Sequence, residues 1–294
     1  MIKATKRFRE LVKSGKPVVM PGAYDPVSAK LTEAAGFDAV YLTGQGLASQ
    51  FGFTDAGLIT LTEMVERAKV IVNFVDIPVI CDADTGFGGI INVRRTVQEY
   101  ERIGLVGLHI EDQTFPKKCG SMENRSVIPT ENMVNLIKAA VDAKTDPDFF
   151  IIARTDVMES EGVEAAMERA KAYEAAGADC IMGMNAHGYE LEDMKKFNSA
   201  FSIPSLGIIT ETQHWVRNQP IWSVEELTKV GFQIFFFPLA LLYASAKQIK
   251  DTLEEIKKYG TTQNWLDHQL SFQEFTTLMG LPEVYELERK YGRY

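Results

Sequence analysis

The residues best suited to chemistry lie at the ends of short apolar runs. The stretch "EDQTFPKKCGSMENR", Glu111 to Arg125, places a cysteine in charged and polar company, next to a glycine, two lysines and a serine. A free cysteine ordinarily prefers a buried apolar site, so Cys119 stands out, as either a reagent or a spectator thiol. The other two cysteines, Cys81 in "IPVICDAD" and Cys180 in "GADCIM", lie in strand-like runs and read as small buried hydrophobes. No CxxC or Cys/His spacing points to zinc. Asp82 and Asp84 in "DADTGFGG" have the period of a strand and so point to one face, and His109 and Glu111 in "HIEDQ" share that parity. Three carboxylates gathered at one mouth repel each other unless a cation neutralises them. An oxygen-only ligand set suggests Mg²⁺ or Mn²⁺. The competing reading is that these acids cap the following helices, but their convergence from two adjacent strands favours a metal. Arg154, at the end of an apolar run, is costly unless paired. It is either a clamp for a substrate carboxylate or phosphonate or a partner of Asp156 or Glu111. Backbone N–H groups at Gly44 and Gln45, in "TGQG", offer a turn that can hold a carboxylate.

Something must bring these residues together. Four segments, "EAAGFDAVYL", "RIGLVGLHI", "EAAGADCIM" and "KVGFQIFFF", share one order: helix end, glycine, apolar run. Gly36, Gly104, Gly177 and Gly231 would leave each helix in the left-handed conformation. Four other apolar runs are entered through Pro17, Pro78, Pro147 and Pro204, as suits the first residues of strands. The two kinds alternate along the chain with helical patterns between them. That predicts eight βα units and an α/β fold, a (β/α)₈ TIM barrel over residues 1–258, with its site at the C-terminal ends of the strands. Strand 1 then delivers Tyr24 and Asp25, and strand 7 delivers Glu211. The remainder, 259–294, is aromatic and amphipathic and predicts a helical extension packed on a neighbouring surface.

Composition narrows the class. The chain has 294 residues, 46% of them hydrophobic, and a net charge of −9. That charge opposes nucleic acid as a partner, because phosphate binding needs a basic surface. No apolar run reaches the ~18 residues a membrane span needs, and "MIKATKRFRELVKSGK" lacks the apolar centre of a secretory signal. The expectation is a cytoplasmic protein with no membrane partner.

Taken together, "PGAYD", "DADTGFG", "EDQTFPKKCG", "DPDFFIIARTD" and "AYEAAGADCI" resemble the isocitrate lyase / phosphoenolpyruvate mutase superfamily, over about residues 4 to 290. The closest likeness is to the branch of short 2-methylisocitrate lyases and carboxyphosphonoenolpyruvate mutases. The resemblance implies a barrel whose eighth helix is swapped between subunits, in a homotetramer. It implies Mg²⁺ held directly by Asp82, with Asp84 and Glu111 nearby through water. The substrate is a 2-oxo acid or enolate on that metal, its carboxylate on Thr43, Gly44 and Gln45. Arg154, Tyr41, Asp55, Gly120, Ser121 and Glu211 would also contact this small carboxylate; for Asp55 a plain turn residue is the rival reading. Cys119 would lie on a mobile loop and act as general acid/base, with Arg154 and Glu111 also taking part in the reaction. The lysines beside it favour thiolate, and closure of the loop excludes water. The implied reaction is a retro-aldol cleavage: a base removes a hydroxyl proton, the C–C bond breaks, Mg²⁺ stabilises the enolate and Cys119 protonates it.

The sequence departs from the lyase pattern at three places. Ser121 replaces the histidine of "CGH", Met184 stands where the lyases have glutamate, and Ile208 replaces an asparagine, while Glu211 remains. Met184 and Ile208 would leave a tricarboxylate unpaired. The expectation is therefore a poor isocitrate or methylisocitrate lyase that acts on a smaller or more apolar 2-hydroxy or 2-oxo acid. His187 and His214, on the same loops, read as surface histidines. The rival readings are a phosphoenolpyruvate mutase or phosphonopyruvate-type P–C enzyme, an oxaloacetate-type hydrolase, and a barrel that binds without turnover. Cys119 opposes the P–C enzymes, whose loops typically lack it, and the retained acidic cluster opposes the binder.

Overall fold

Proline and glycine fix where the strands begin. The structure, a computed structural model, describes residues 3–183 and 190–292. Pro17 and Pro78 directly precede β1 (Val18–Ala23) and β3 (Val79–Asp82), and Pro147 and Pro204 lie just upstream of β5 (Phe150–Arg154) and β7 (Leu206–Ile208). Each stands just outside the ladder, where its missing N–H does no harm. Gly36, Gly104, Gly177 and Gly231 adopt φ of 86° to 107°. They end the helices that lead into β2 (Val40–Leu42), β4 (Gly107–Glu111), β6 (Cys180–Met182) and β8 (Ile234–Phe237).

All eight strands pair in parallel, in the order β6-β5-β4-β3-β2-β1-β8-β7. A parallel bridge between Ile181 and Ser205 links β6 to β7 and nearly closes the ring. This is the expected (β/α)₈ barrel. Alternation along the strands sorts the core into two layers. Val18, Met20, Ile80, Ile152, Leu206 and Ile234 point inward, while Leu42, Cys81, Leu108, Ile151, Ile181 and Phe235 pack outward in the cluster that includes the helices. The helix Ala4–Lys13 contributes Phe8 to the inner layer, where its ring meets Phe150 edge-on at 5.2 Å. Phe150 is the first residue of β5, so Phe8 stoppers the N-terminal end of the barrel.

Parallel register then sets neighbours at the opposite end. Asp82 lies beside His109, and Glu111 beside Arg154, which in turn lies beside Met182. By its contacts the chain divides into residues 1–241 and 242–294. The helix Ala240–Tyr259, grouped with the barrel by the sequence boundary at 258, falls almost wholly in the second unit. That unit continues through a 3₁₀ turn, Gln263–His268, and the helices Phe272–Leu278 and Leu281–Tyr291. None of these elements has a buried residue. Among the described residues no helix is long and apolar enough to cross a membrane.

Candidate active site

At the C-terminal ends of the strands lies a cavity of about 60 Å³. One side is polar: Tyr41, Thr43, Gln45, Asp55, Asp82 and Arg154 line it. The other is largely apolar, with Met182, Ile208, Phe236, Pro238 and Leu239. Cys119, Gly120 and Ser121 come over it from the loop after β4, and Thr210 from the loop after β7. So Tyr41, Thr43, Gln45, Asp55, Asp82, Cys119, Gly120, Ser121 and Arg154 meet in one place.

Gly44, Asp84, Glu111 and Glu211 do not line the cavity. Gly44 lies against its wall: a Cβ there would come within 2.3 Å of Asp82 Oδ2, so only glycine lets the chain after β2 approach that carboxylate. Glu211 precedes the helix Thr212–Arg217, and its Oε2 is buried with no hydrogen-bond partner among the described residues. Asp25 caps the helix Pro26–Ala34, accepting from the Ser28 N–H at 2.7 Å. His214 is exposed. Met184 and His187 lie outside the described residues.

Three expectations need correction. Strand pairing stops at Asp82, so the shared parity does not extend to Asp84, which has φ of 47°. A turn brings the two acids together instead, the Asp84 N–H donating to Asp82 Oδ1 at 2.9 Å. Neither caps the next helix, whose N-cap is Gly89. The two readings of Arg154 are not alternatives. It lines the cavity, yet its guanidinium also meets Asp156 at 2.8 and 3.0 Å and Glu111 at 2.8 Å. Finally, the lysines do not make Cys119 a thiolate. Burial pushes its thiol pKa up, and the Asp55 charge adds to this against weaker opposition from the Ser121 backbone N–H, then Lys117 and Arg154. Cys119 keeps its proton and donates it to Gln45 Oε1 at 3.1 Å.

The sequence reading passed over Lys117 and gave His109 a face but no role. Lys117, with its side chain 3% exposed, bridges Asp55 and Asp84, 2.7 Å from the latter. The argument that clustered acids need a cation was itself the signal, because the chain supplies one six residues after Glu111. His109 is fully buried, with Nε2 2.9 Å from the Tyr41 hydroxyl oxygen and 3.4 Å from Asp82 Oδ1. Burial lowers its pKa to about 4, so it stays neutral near pH 7. Burial also raises Asp82, but His109, Lys117 and Arg154 together outweigh it and hold that carboxylate at about 2. Asp84 goes the other way: burial, only partly offset by Lys117 and reinforced by Asp82 and Asp55, lifts it to about 7.

Among the described residues no three His, Cys, Asp or Glu side chains are arranged to hold a metal by themselves. What the site offers is hard oxygen. Asp82 stays ionised beside the cavity, Asp84 adjoins it, and Glu111 Oε1 is buried with no hydrogen-bond partner. Such a set fits a Mg²⁺-like ion, which takes one or two carboxylates and keeps several waters.

The sequence model of the phosphoenolpyruvate phosphomutase family matches residues 8–257. The chain belongs to the phosphoenolpyruvate mutase / isocitrate lyase superfamily. This superfamily member is 43% identical to a 2,3-dimethylmalate lyase of Eubacterium barkeri over 287 residues, 97% of each chain. It is similar to a solved oxaloacetate acetylhydrolase bound to 3,3-difluorooxalacetate (TM-score 0.90, 32% identity, 99% of this chain and 98% of the other). It is similar also to a phosphonopyruvate hydrolase solved with oxalate and Mg²⁺ (TM-score 0.88, 25% identity, 99% of this chain and 100% of the other).

Of the superfamily member's departures from the lyase pattern, two can be placed. Ile208 forms part of the apolar wall. The Ser121 hydroxyl donates to Thr212 Oγ1 at 2.8 Å, and Thr212 Oγ1 lies 3.2 Å from the Thr210 hydroxyl.

Proposed function

We propose that this protein is a divalent-metal-dependent carbon–carbon lyase for a small, alkyl-substituted 2-hydroxy diacid. The reading is carried by the Cys119 thiol, set on a lid over a cavity with Asp82 and Arg154 on one side and Met182, Ile208 and Phe236 on the other. The relative named for 2,3-dimethylmalate supports the same substrate class. Ile208 offers nothing to a third carboxylate, and a buried polar group left unpaired is penalised.

A divalent ion, Mg²⁺ or in its stead Mn²⁺, would be held by Asp82 with Asp84 and Glu111 about it, and would supply Lewis-acid stabilisation of the developing charge. Thr43, Gly44, Gln45 and Arg154 hold the substrate carboxylate, and Tyr41 steadies Asp82. A carboxylate of the acidic group takes the 2-hydroxyl proton, and cleavage of the C2–C3 bond leaves a 2-oxo acid. The bonding pair passes into the second carboxylate as an enediolate. Cys119 Sγ gives its proton to C3 of that enediolate, and a thiol whose pKa burial has raised still carries the proton to give. Free thiols at Cys81, Cys119 and Cys180 suit a reducing compartment such as the cytoplasm.

NMR with Mg²⁺ over oxaloacetate, 2-methylisocitrate, 2,3-dimethylmalate, other alkylated malates and phosphonopyruvate tests this. Alkylated malates should be cleaved with kcat/KM at least about tenfold above 2-methylisocitrate. Turnover of oxaloacetate alone would make the protein a hydrolase, and of phosphonopyruvate alone a P–C enzyme. Either result overturns the lyase reading.

We propose further that the chain is a homotetramer assembled by exchange of the helix Ala240–Tyr259. Ile249, Leu253, Ile256 and Phe272 are 44–81% exposed. An apolar array of that extent is typically a contact surface. Sedimentation should give four times the 32.9 kDa chain mass; a monomer at micromolar concentration would refute the assembly.

A further inference from the structure

The lid that carries Cys119 has neighbours exposed at Glu123, Asn124 and Ser126, yet the side chain of Arg125 between them is only 3% exposed. It turns inward and forks. One arm meets Asp156, the other meets Glu159, and Nε donates to the Met122 carbonyl at 3.2 Å. The Met122 N–H in turn donates to the Cys119 carbonyl at 2.9 Å. Arg125 is thus joined to the cysteine through one short turn. Its inner partner, Asp156, is the same carboxylate that Arg154 grips through Nε and a second nitrogen. Glu111, Arg154, Asp156, Arg125 and Glu159 therefore form a line of alternating charge from the barrel interior to the lid's outer end.

We propose that Arg125 is the pin of the lid: a positioning residue that holds Cys119 over the cavity and, through the shared Asp156, ties lid closure to the placement of Arg154. Lifting the lid pulls one of two cations from a carboxylate whose side chain is fully buried. Such a carboxylate resists losing a partner. Two groups that share one partner are coupled, and the coupling runs both ways. The proposal holds whichever bond the site breaks, so it stands or falls apart from the lyase reading.

The chain carries its own gauge. Cys81 and Cys180 are fully buried, and Cys119 is not. Iodoacetamide labelling of the intact protein, resolved thiol by thiol by peptide mass spectrometry, reports lid opening at Cys119 and general unfolding at the other two. Arg125→Ala should speed labelling of Cys119 about tenfold or more while Cys81 and Cys180 stay protected. Arg125→Lys should fall between, because an ammonium lacks the planar fork that serves Asp156, Glu159 and the Met122 carbonyl at once. Asp156→Asn should also speed Cys119, and the double variant should gain little over either single one. An unchanged Cys119 rate in Arg125→Ala overturns the pin. So does a joint rise at all three thiols, which would make Arg125 a support of the fold. Independent, multiplying effects of the two substitutions would remove Asp156 from the proposal.

Discussion

Asp82→Ala should bind neither Mg²⁺ nor oxalate, and its turnover should fall by about 10³-fold or more, the weight of several kcal/mol of charge stabilisation. Asp82 is the carboxylate of the acidic group that both lines the cavity and stays firmly ionised. Asp84 cannot replace it. Its carboxyl titrates near 7, and its nearest charge is already Lys117. Calorimetry with oxalate, a two-carbon mimic of an enolate, separates the outcomes. Wild type should take up oxalate only with Mg²⁺ present. If Asp82→Ala still bound oxalate in a Mg²⁺-dependent way, the metal would have to be placed elsewhere. The Tyr41 and His109 side chains beside Asp82 belong to the inner core, so thermal unfolding of the variant serves as the control for a collapsed site.

Cys119→Ser should show the opposite division. Oxalate affinity should stay within a few-fold of wild type, because the thiol belongs to the lid and not to the acidic floor. Turnover should fall by about 10²–10⁴-fold, the usual range for a missing proton donor. Serine keeps the hydrogen bond to Gln45 but holds its proton far too tightly to deliver it. Single-turnover experiments in D₂O add a second signature: any residual reaction should lose the stereospecific deuterium that the thiol places on the released acid. Equal rates for variant and wild type would reduce Cys119 to a spectator.

Much of this was legible in the sequence, for physical reasons. Proline cannot donate to a ladder, and a helix cannot turn sharply into a strand without a residue such as Gly104 in the left-handed region. Those two constraints marked all eight strands. Once the strands were placed, their ends brought Thr43, Asp82 and Arg154 to one mouth. Asp84 was misjudged because strand parity ends where pairing ends, and pairing is a property of the neighbour as much as of the segment. Lys117 was passed over, and His109 was given no role, because what makes them unusual is depth. A lysine in a polar loop reads as solvated until the fold shows Asp55 and Asp84 against its ammonium. The thiol of Cys119 was misjudged by the same reasoning in reverse: the lysines adjacent in sequence point away from it, toward Asp55 and Asp84 or the loop carbonyls of Glu123 and Asn124.

Phe8 and its contact with Phe150 give the barrel a floor. A vessel with a floor has one doorway, and here the doorway carries the reagent. Substrate, water and both fragments of a cleaved acid must all pass the loop that holds Cys119. If that loop must open and close in each cycle, no change to the chemistry inside can make the cycle faster than its motion.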